Sequence, residues 1–285
     1  MQNITFKKVF FGVLKWCSLG VLIGMLGGVI GACFAHLLSF VTNLRQVGPW
    51  LVFLLPVGSI ATVLLYRAFG MHNFGGTNEI IACLTDKKPI RAIAAPLIFI
   101  SSAITHLFGG SAGREGAALQ LGGAGASALC RTLRLKENDR TIVIMSGMSA
   151  VFAGLFGTPL TAAFFVLEFN FSFKVISRAI LPCFISSVVA TKISSALAVA
   201  EETANLSVID TFTFYTIAKI IILSLGLSIL GRIMCIAFHE TVHLMTRLIS
   251  NTFLRTALAA GVIVVLTAIV GDMRYNGYRR KSRLV

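Results

Sequence analysis

FGGSAGREGAALQ, residues 108–120, is the most informative segment of the sequence. It follows an apolar segment at 93–107 and leads into small residues that continue to Leu129. Glycines interrupt helices, and Arg114 and Glu115 stand among four of them. The stretch therefore predicts a helix that ends, a short non-helical connection that carries two charges, and a second helix that begins.

The composition of the 285-residue chain places this break in a membrane. Hydrophobic residues make up 56% and charged residues 13%, about half the charged fraction of soluble proteins. The net charge is +14, but the basic residues form short clusters between apolar segments, which is typical of cytoplasmic loops rather than of a nucleic-acid surface. The composition thus predicts membrane lipid around the chain and no nucleic-acid partner.

Apolar segments that can cross or enter a bilayer recur along the chain. We predict an all-α polytopic membrane protein with such segments at 9–41, 50–69, 93–107, 117–129, 141–156, 159–167, 176–200, 215–248 and 252–270. Cytoplasmic placement of the basic clusters puts the N-terminus in the cytoplasm and makes the protein integral to a membrane. The same topology leaves the basic residues 279–283 on the wrong side.

A second break lies at 74–78, within FGGTNE, residues 74–79. The start of a helix offers free N–H groups and partial positive charge, which together attract anions. Two glycine-rich helix starts that point inward therefore predict an anion pathway. We interpret the small residues at 122–127 differently, as a site of close helix packing.

Glu115 is the candidate gate of this pathway. In the first turn of a helix that begins near Gly116, its carboxylate would accept the free N–H groups and occupy the place of an anion. Protonation would release it, so that one residue both opens the path and carries a proton. The alternative is a structural acid at a helix start, paired with Arg114.

Cysteine and histidine patterns predict no metal, no cofactor and no enzymatic activity. The six cysteines are scattered without a CxxC pair. His239, Glu240 and His243 have the spacing of an HExxH motif, but one such match inside an apolar segment is weak, and we expect no metal there.

Residues 108–120, and FGTPLTAAFFVLE at 156–168, resemble two segments of the CLC family of chloride channels and anion/proton antiporters. The resemblance implies a CLC-type inverted-repeat helical fold and a homodimer. It also implies that Glu115 gates anions and transfers protons. The other residues that match the family's anion path are Gly75, Gly76, Thr77, Asn78, Gly113, Arg114, Gly116 and Ala117.

Departures from the family pattern bear on selectivity. Gly75 stands where the chloride-transporting branch has an anion-coordinating serine, Asn78 replaces a proline, and Ala117 replaces another. The segments around Thr105 and Gly157 resemble the bacterial fluoride-exporting branch, and Thr77 and Asn78 are candidate donors to a fluoride ion. Phe169 stands where some antiporters have a proton-accepting glutamate, so we interpret Glu168 as a structural acid.

The resemblance divides the chain into three parts. Residues 1–200 match the first repeat with both breaks, residues 201–278 match the opening helices of the second repeat, and residues 279–285 form a divergent basic tail. We therefore expect a fold truncated in its second repeat. The predicted function is transport of chloride or fluoride, with protons as the second partner, in the inner membrane of a bacterium. A non-transporting remnant, or a partner subunit of another membrane protein, stays open as the alternative.

Overall fold

The structure is a computed structural model, and it describes residues 2–72, 74–86, 90–110, 112–170, 172–199 and 213–270. The regular secondary structure of the described ranges is helical, as the apolar segments predict. Ten α-helices lie in these ranges: α1 (Gln2–Val47), α2 (Leu55–Ala68), α3 (Thr77–Asp86), α4 (Ala94–Leu107), α5 (Arg114–Thr132), α6 (Glu137–Phe156), α7 (Pro159–Leu167), α8 (Phe173–Ala196), α9 (Phe214–Leu248) and α10 (Thr252–Val270).

Six helical segments of the described chain are long and apolar enough to cross a membrane. They lie in α1, in α2 together with the 3₁₀ turn Pro49–Leu54, and in α6, α8, α9 and α10. The chain is therefore an integral membrane protein. The two predicted breaks are confirmed, because α3 begins only at Thr77 and α5 begins only at Arg114.

Helix α6 forms the centre of the bundle, with 83% of Asp139–Phe156 buried against α1, α5 and α8. Small residues let α5 approach it closely, since a Cβ atom on Gly122 would lie 2.3 Å from the carbonyl oxygen of Gly147. This contact confirms the packing interpretation of residues 122–127.

Helix α8 packs on α1 through glycines and on α6 through serine hydroxyls. A Cβ atom on Gly24 would lie 2.7 Å from the carbonyl oxygen of Ser186. The Ser186 hydroxyl donates to the carbonyl oxygen of Ser146 at 2.9 Å, and that of Ser194 donates to Gly154. These bonds satisfy polar groups that lipid cannot satisfy.

An ionic cluster joins α1 to the first two turns of α6 and α8. The carboxylate of Asp139 lies 2.5 Å from Lys15 Nζ and 3.1 Å from Arg178 Nη2. The Asp139 side chain is only 10% exposed, so the pair of cations compensates for its burial. The cluster ties the starts of α6 and α8 to the Lys15 position of α1.

The last two described helices are less enclosed than the rest. Helix α9 buries no residue against the other described elements. Helix α10 packs on α2, where the Arg67 guanidinium lies 4.2 Å from the centre of the Phe253 ring. The predicted basic tail at 279–285 lies outside the described residues.

Candidate anion site at two helix starts

The loop before α3 is held by a glutamate in the first turn of α3 itself. Gly76 adopts φ +62°, a left-handed conformation that glycine accepts readily, and Thr77 follows as the first helical residue. The Glu79 carboxylate accepts a hydrogen bond from the backbone N–H of Gly75 at 2.7 Å, as in half of a capping box. The N–H of Gly75, a predicted anion ligand, is therefore already engaged by Glu79.

The connection between α4 and α5 is held by a buried cation. Gly109 turns the chain with φ +77°, and a Cβ atom there would lie 2.9 Å from Val52 Cγ2. Arg45, only 4% exposed, donates from Nη1 to the carbonyl oxygen of His106 at 2.9 Å. A guanidinium at the carboxyl end of α4 compensates the negative end of the helix dipole, so α1 fixes the point where α4 stops.

Glu115 lies in the first turn of α5, as predicted. The helix begins slightly earlier than expected, at Arg114, with Gly113 as its extended N-cap residue (φ −70°, ψ 146°). The Glu115 carboxylate folds back over the N-cap, because a Cβ atom on Gly113 would lie 2.8 Å from its Oε2. It makes no hydrogen bond to any other residue in the described ranges.

A gate inside a membrane pathway is expected to be buried, but Glu115 is exposed in the structure. The buried residues of α5 begin only at Ala117, so its first turn lies at the surface of the described chain. Gly113 is also exposed, and Arg114 and Gly116 are half-buried. Ala117 is 8% exposed and packs into the core, which makes it a structural neighbour of the site.

The two helix starts meet side by side. Gln120, in the second turn of α5, donates from Nε2 to the Thr77 hydroxyl oxygen at 2.9 Å. Gly116 makes room for this contact, since a Cβ atom there would lie 2.8 Å from the same oxygen. Asn78 is exposed, and its side chain bonds no other described residue. The structure thus brings Gly76, Thr77 and Gly116 together and leaves Asn78 outside.

A cavity of about 370 Å³ opens beside this contact. It lies between α2, α4, α5 and α10 and reaches Gly76 at the start of α3. Its polar lining consists of hydroxyl, amide, imidazole and guanidinium groups, contributed by Thr62, Tyr66, Arg67, His72, Ser101, Thr105, Gln120 and Thr252. The described residues of the lining carry no carboxylate, so the chemistry of the cavity suits an anion rather than a cation.

Glu168 lies apart from both helix starts, at the end of α7, and is exposed. The neighbouring Phe169 packs edge-on against Phe165, with ring centres 4.9 Å apart. Phe165 in turn contacts Phe152 at 5.2 Å. The position next to Glu168 therefore belongs to an aromatic cluster and offers no titratable group.

Three residues of the site escaped the sequence interpretation: Arg45, Glu79 and Gln120. Arg45 was detectable as a basic residue at the end of a long apolar segment. Glu79 was detectable as an acid two residues after the helix start. The contact of Gln120 joins positions 43 residues apart, and no local pattern reveals it.

Comparisons with known proteins agree with this architecture. The family described as "Voltage gated chloride channel" matches residues 57–284. The chain is 32% identical over 266 residues to the "Chloride/fluoride channel protein" of Pseudomonas syringae pv. tomato, covering 92% of this chain and 58% of that protein. It is 28% identical over 191 residues to the "H(+)/Cl(-) exchange transporter ClcA" of Vibrio vulnificus, covering 60% of this chain and 41% of that protein.

The fold has a similar solved counterpart. The crystal structure of a CLC-type fluoride/proton antiporter aligns with a TM-score of 0.85 and 30% identity, covering 93% of this chain and 68% of that one. This likeness places the bundle, with its two helix breaks, in the class of CLC-type helical membrane folds. The chain belongs to the voltage-gated chloride channel (CLC) family. It spans 58% of the length of the Pseudomonas relative.

Proposed function

We propose that the protein moves small halide anions through a CLC-type pathway in which Glu115 is the gate, and that proton movement is coupled to anion movement. The names of its relatives support halides as the cargo. We assign residues 1–200 to the first repeat and residues 201–278 to the opening helices of the second repeat. The proposed assembly is a homodimer in a bacterial inner membrane, with the N-terminus of each chain in the cytoplasm.

The observation that carries the proposal is the position of the Glu115 carboxylate. It lies over the N-cap of α5, where free N–H groups attract negative charge. It forms no hydrogen bond with another residue in the described part of the chain, so no side chain has to release it before it moves. An ionised Glu115 competes with a halide for this position, and a protonated Glu115 gives the position up.

Fluoride is the preferred cargo in this proposal. The Pseudomonas relative is called a chloride/fluoride channel, and the similar solved structure is a fluoride/proton antiporter. Gly75 supplies no side-chain donor, and its N–H is bound to Glu79. The ion therefore takes its donors from elsewhere in the site.

Halide efflux from proteoliposomes tests the proposal. Vesicles loaded with potassium fluoride or potassium chloride should release fluoride faster when they contain the wild-type chain than when they contain none. Glu115→Gln mimics the protonated gate, so its fluoride efflux should no longer depend on pH. Glu137→Gln, a first-turn acid of α6, is the matched control and should keep the pH dependence of the wild type. Absence of efflux for both ions would contradict the proposal and favour the non-transporting alternative.

A further inference from the structure

The Gln120 side chain lies between the two helix starts. Its Nε2 lies 2.9 Å from the Thr77 hydroxyl oxygen. The same nitrogen lies 3.8 Å from the places that Cβ atoms on Gly76 and Gly116 would take. Gln120 therefore contacts both breaks at once, and glycines on either side leave its amide uncovered.

The amide of Gln120 has a donor to spare. A glutamine Nε2 carries two N–H groups, and the Thr77 hydroxyl oxygen takes one of them. The residue lines the cavity of about 370 Å³, and no described residue accepts its second N–H group. That group is available to a molecule or ion in the cavity.

The Thr77 hydroxyl group also has a hydrogen-bond donor to spare. Its hydroxyl oxygen accepts from Gln120, so its own O–H proton has to go to a different acceptor. Threonines inside a helix usually donate to a carbonyl of the preceding turn, as Thr105 does to Ser101. Thr77 is the first residue of α3 and has no preceding helical turn to donate to.

We propose that Gln120 and Thr77 together form the side-chain donor pair of the halide site, with Gln120 orienting the Thr77 hydroxyl and donating its second N–H group to the ion. The inference rests on the proposed function and deepens it. The pair replaces the serine hydroxyl that Gly75 cannot supply. This assignment favours Thr77 over Asn78, the other candidate donor, because Asn78 is exposed and lies outside the contact between Gln120 and Thr77.

The chemistry of the pair suits a small halide. Fluoride holds its water tightly, so a site must return strong hydrogen bonds for the water it removes. An O–H group and an N–H group from two different helices, near the positive ends of both, provide such bonds without a buried positive side chain. A carboxylate at position 77 or 120 would repel the halide ion.

Halide binding to the purified 285-residue chain tests the inference independently of transport. A ligand that binds the folded state raises its melting temperature, so the melting temperature is measured against sodium fluoride and sodium chloride, with sodium gluconate keeping the ionic strength constant. Thr77→Val and Gln120→Met should each raise the fluoride concentration for half-maximal stabilisation about tenfold or more, because hydrogen bonds to a charged group are lost. Thr77→Ser keeps the hydroxyl and should stay within about twofold of the wild type.

The controls separate donor loss from general damage. Thr132→Val and Gln46→Met remove the same groups at exposed positions and should leave halide stabilisation unchanged. Gln120→Glu keeps the shape and should lose the stabilisation almost completely. If Thr77→Val does not fold, Thr77→Ala serves in its place.

The outcomes distinguish the inference from the proposed function. Halide stabilisation that survives in Thr77→Val and Gln120→Met overturns the donor pair, even when the wild type transports. Absence of halide stabilisation in the wild type also overturns it. Stabilisation that depends on both residues in a chain without halide efflux supports the donor pair and contradicts the transport function.

Discussion

The starts of α3 and α5 carry the same kind of residue and use it differently. Each has a glutamate in its first turn, Glu79 in one and Glu115 in the other. Glu79 accepts the backbone N–H of Gly75 at 2.7 Å and so closes its own loop. Glu115 lies over its N-cap without such a bond. A first-turn acid is thus structural where the preceding loop gives it an N–H, and free to move where the loop does not.

The two starts also differ in what holds the chain before them. The loop before α3 is held by α3 itself through Glu79. The connection before α5 is held by α1, because Arg45 binds the end of α4 and Gly109 packs on Val52 and Arg45. The contacts that hold the connection before α5 therefore do not involve Glu115, so Glu115 can move while this connection stays folded.

The largest expected effect distinguishes Gly76 and Gly109, the left-handed glycines at the two breaks. Gly109→Ala should destabilise the protein by about 3 kcal/mol, because left-handed strain adds to a clash with Val52. Gly76→Ala should cost only about 1–2 kcal/mol, since the nearest atom to its Cβ would be Gln120 Nε2 at 3.8 Å. Thermal or denaturant unfolding in detergent measures both. Equal losses would contradict the difference between the two breaks.

Arg45→Met should cause the next largest loss of stability. The substitution removes the cation at the end of α4 and its hydrogen bond to the His106 carbonyl oxygen, which keeps the backbone N–H of Gly109 as a donor, at a cost of about 2 kcal/mol. Arg67→Met is the matched control, because Arg67 is exposed and its contact with Phe253 is worth about 0.5–1 kcal/mol. Unfolding midpoints that shift equally for both variants would show that Arg45 does not hold the break.

The smallest effects are expected for the two first-turn glutamates, Glu79 and Glu115. Glu79→Gln weakens a charge-assisted bond to Gly75 and should cost about 0.5–1.5 kcal/mol. Glu115→Gln should change the free energy of unfolding by less than about 0.5 kcal/mol, as is usual for an exposed residue without partners. A larger loss for Glu115→Gln would identify it as the structural acid of the pair.

The sequence predicts the helices and both breaks because these depend on local composition. Glycine and charge interrupt an apolar run at a definite place, and the first-turn position of Glu115 follows from that place. The contacts of Arg45 with His106 and of Gln120 with Thr77 join residues 61 and 43 positions apart, and they depend on how helices pack. The exposure of Glu115 likewise depends on which elements cover α5, and residue order alone does not fix that.

Proton movement driven by a halide gradient is the most direct test of the gate. Vesicles that contain the wild-type chain and an outward fluoride gradient should take up protons, monitored with a pH-sensitive dye. Glu115→Gln should abolish this proton uptake while fluoride still leaves, and Glu79→Gln should preserve the ratio of protons to fluoride. Unchanged proton uptake in Glu115→Gln, or its loss in Glu79→Gln alone, would contradict the assignment of Glu115 as the proton-carrying gate.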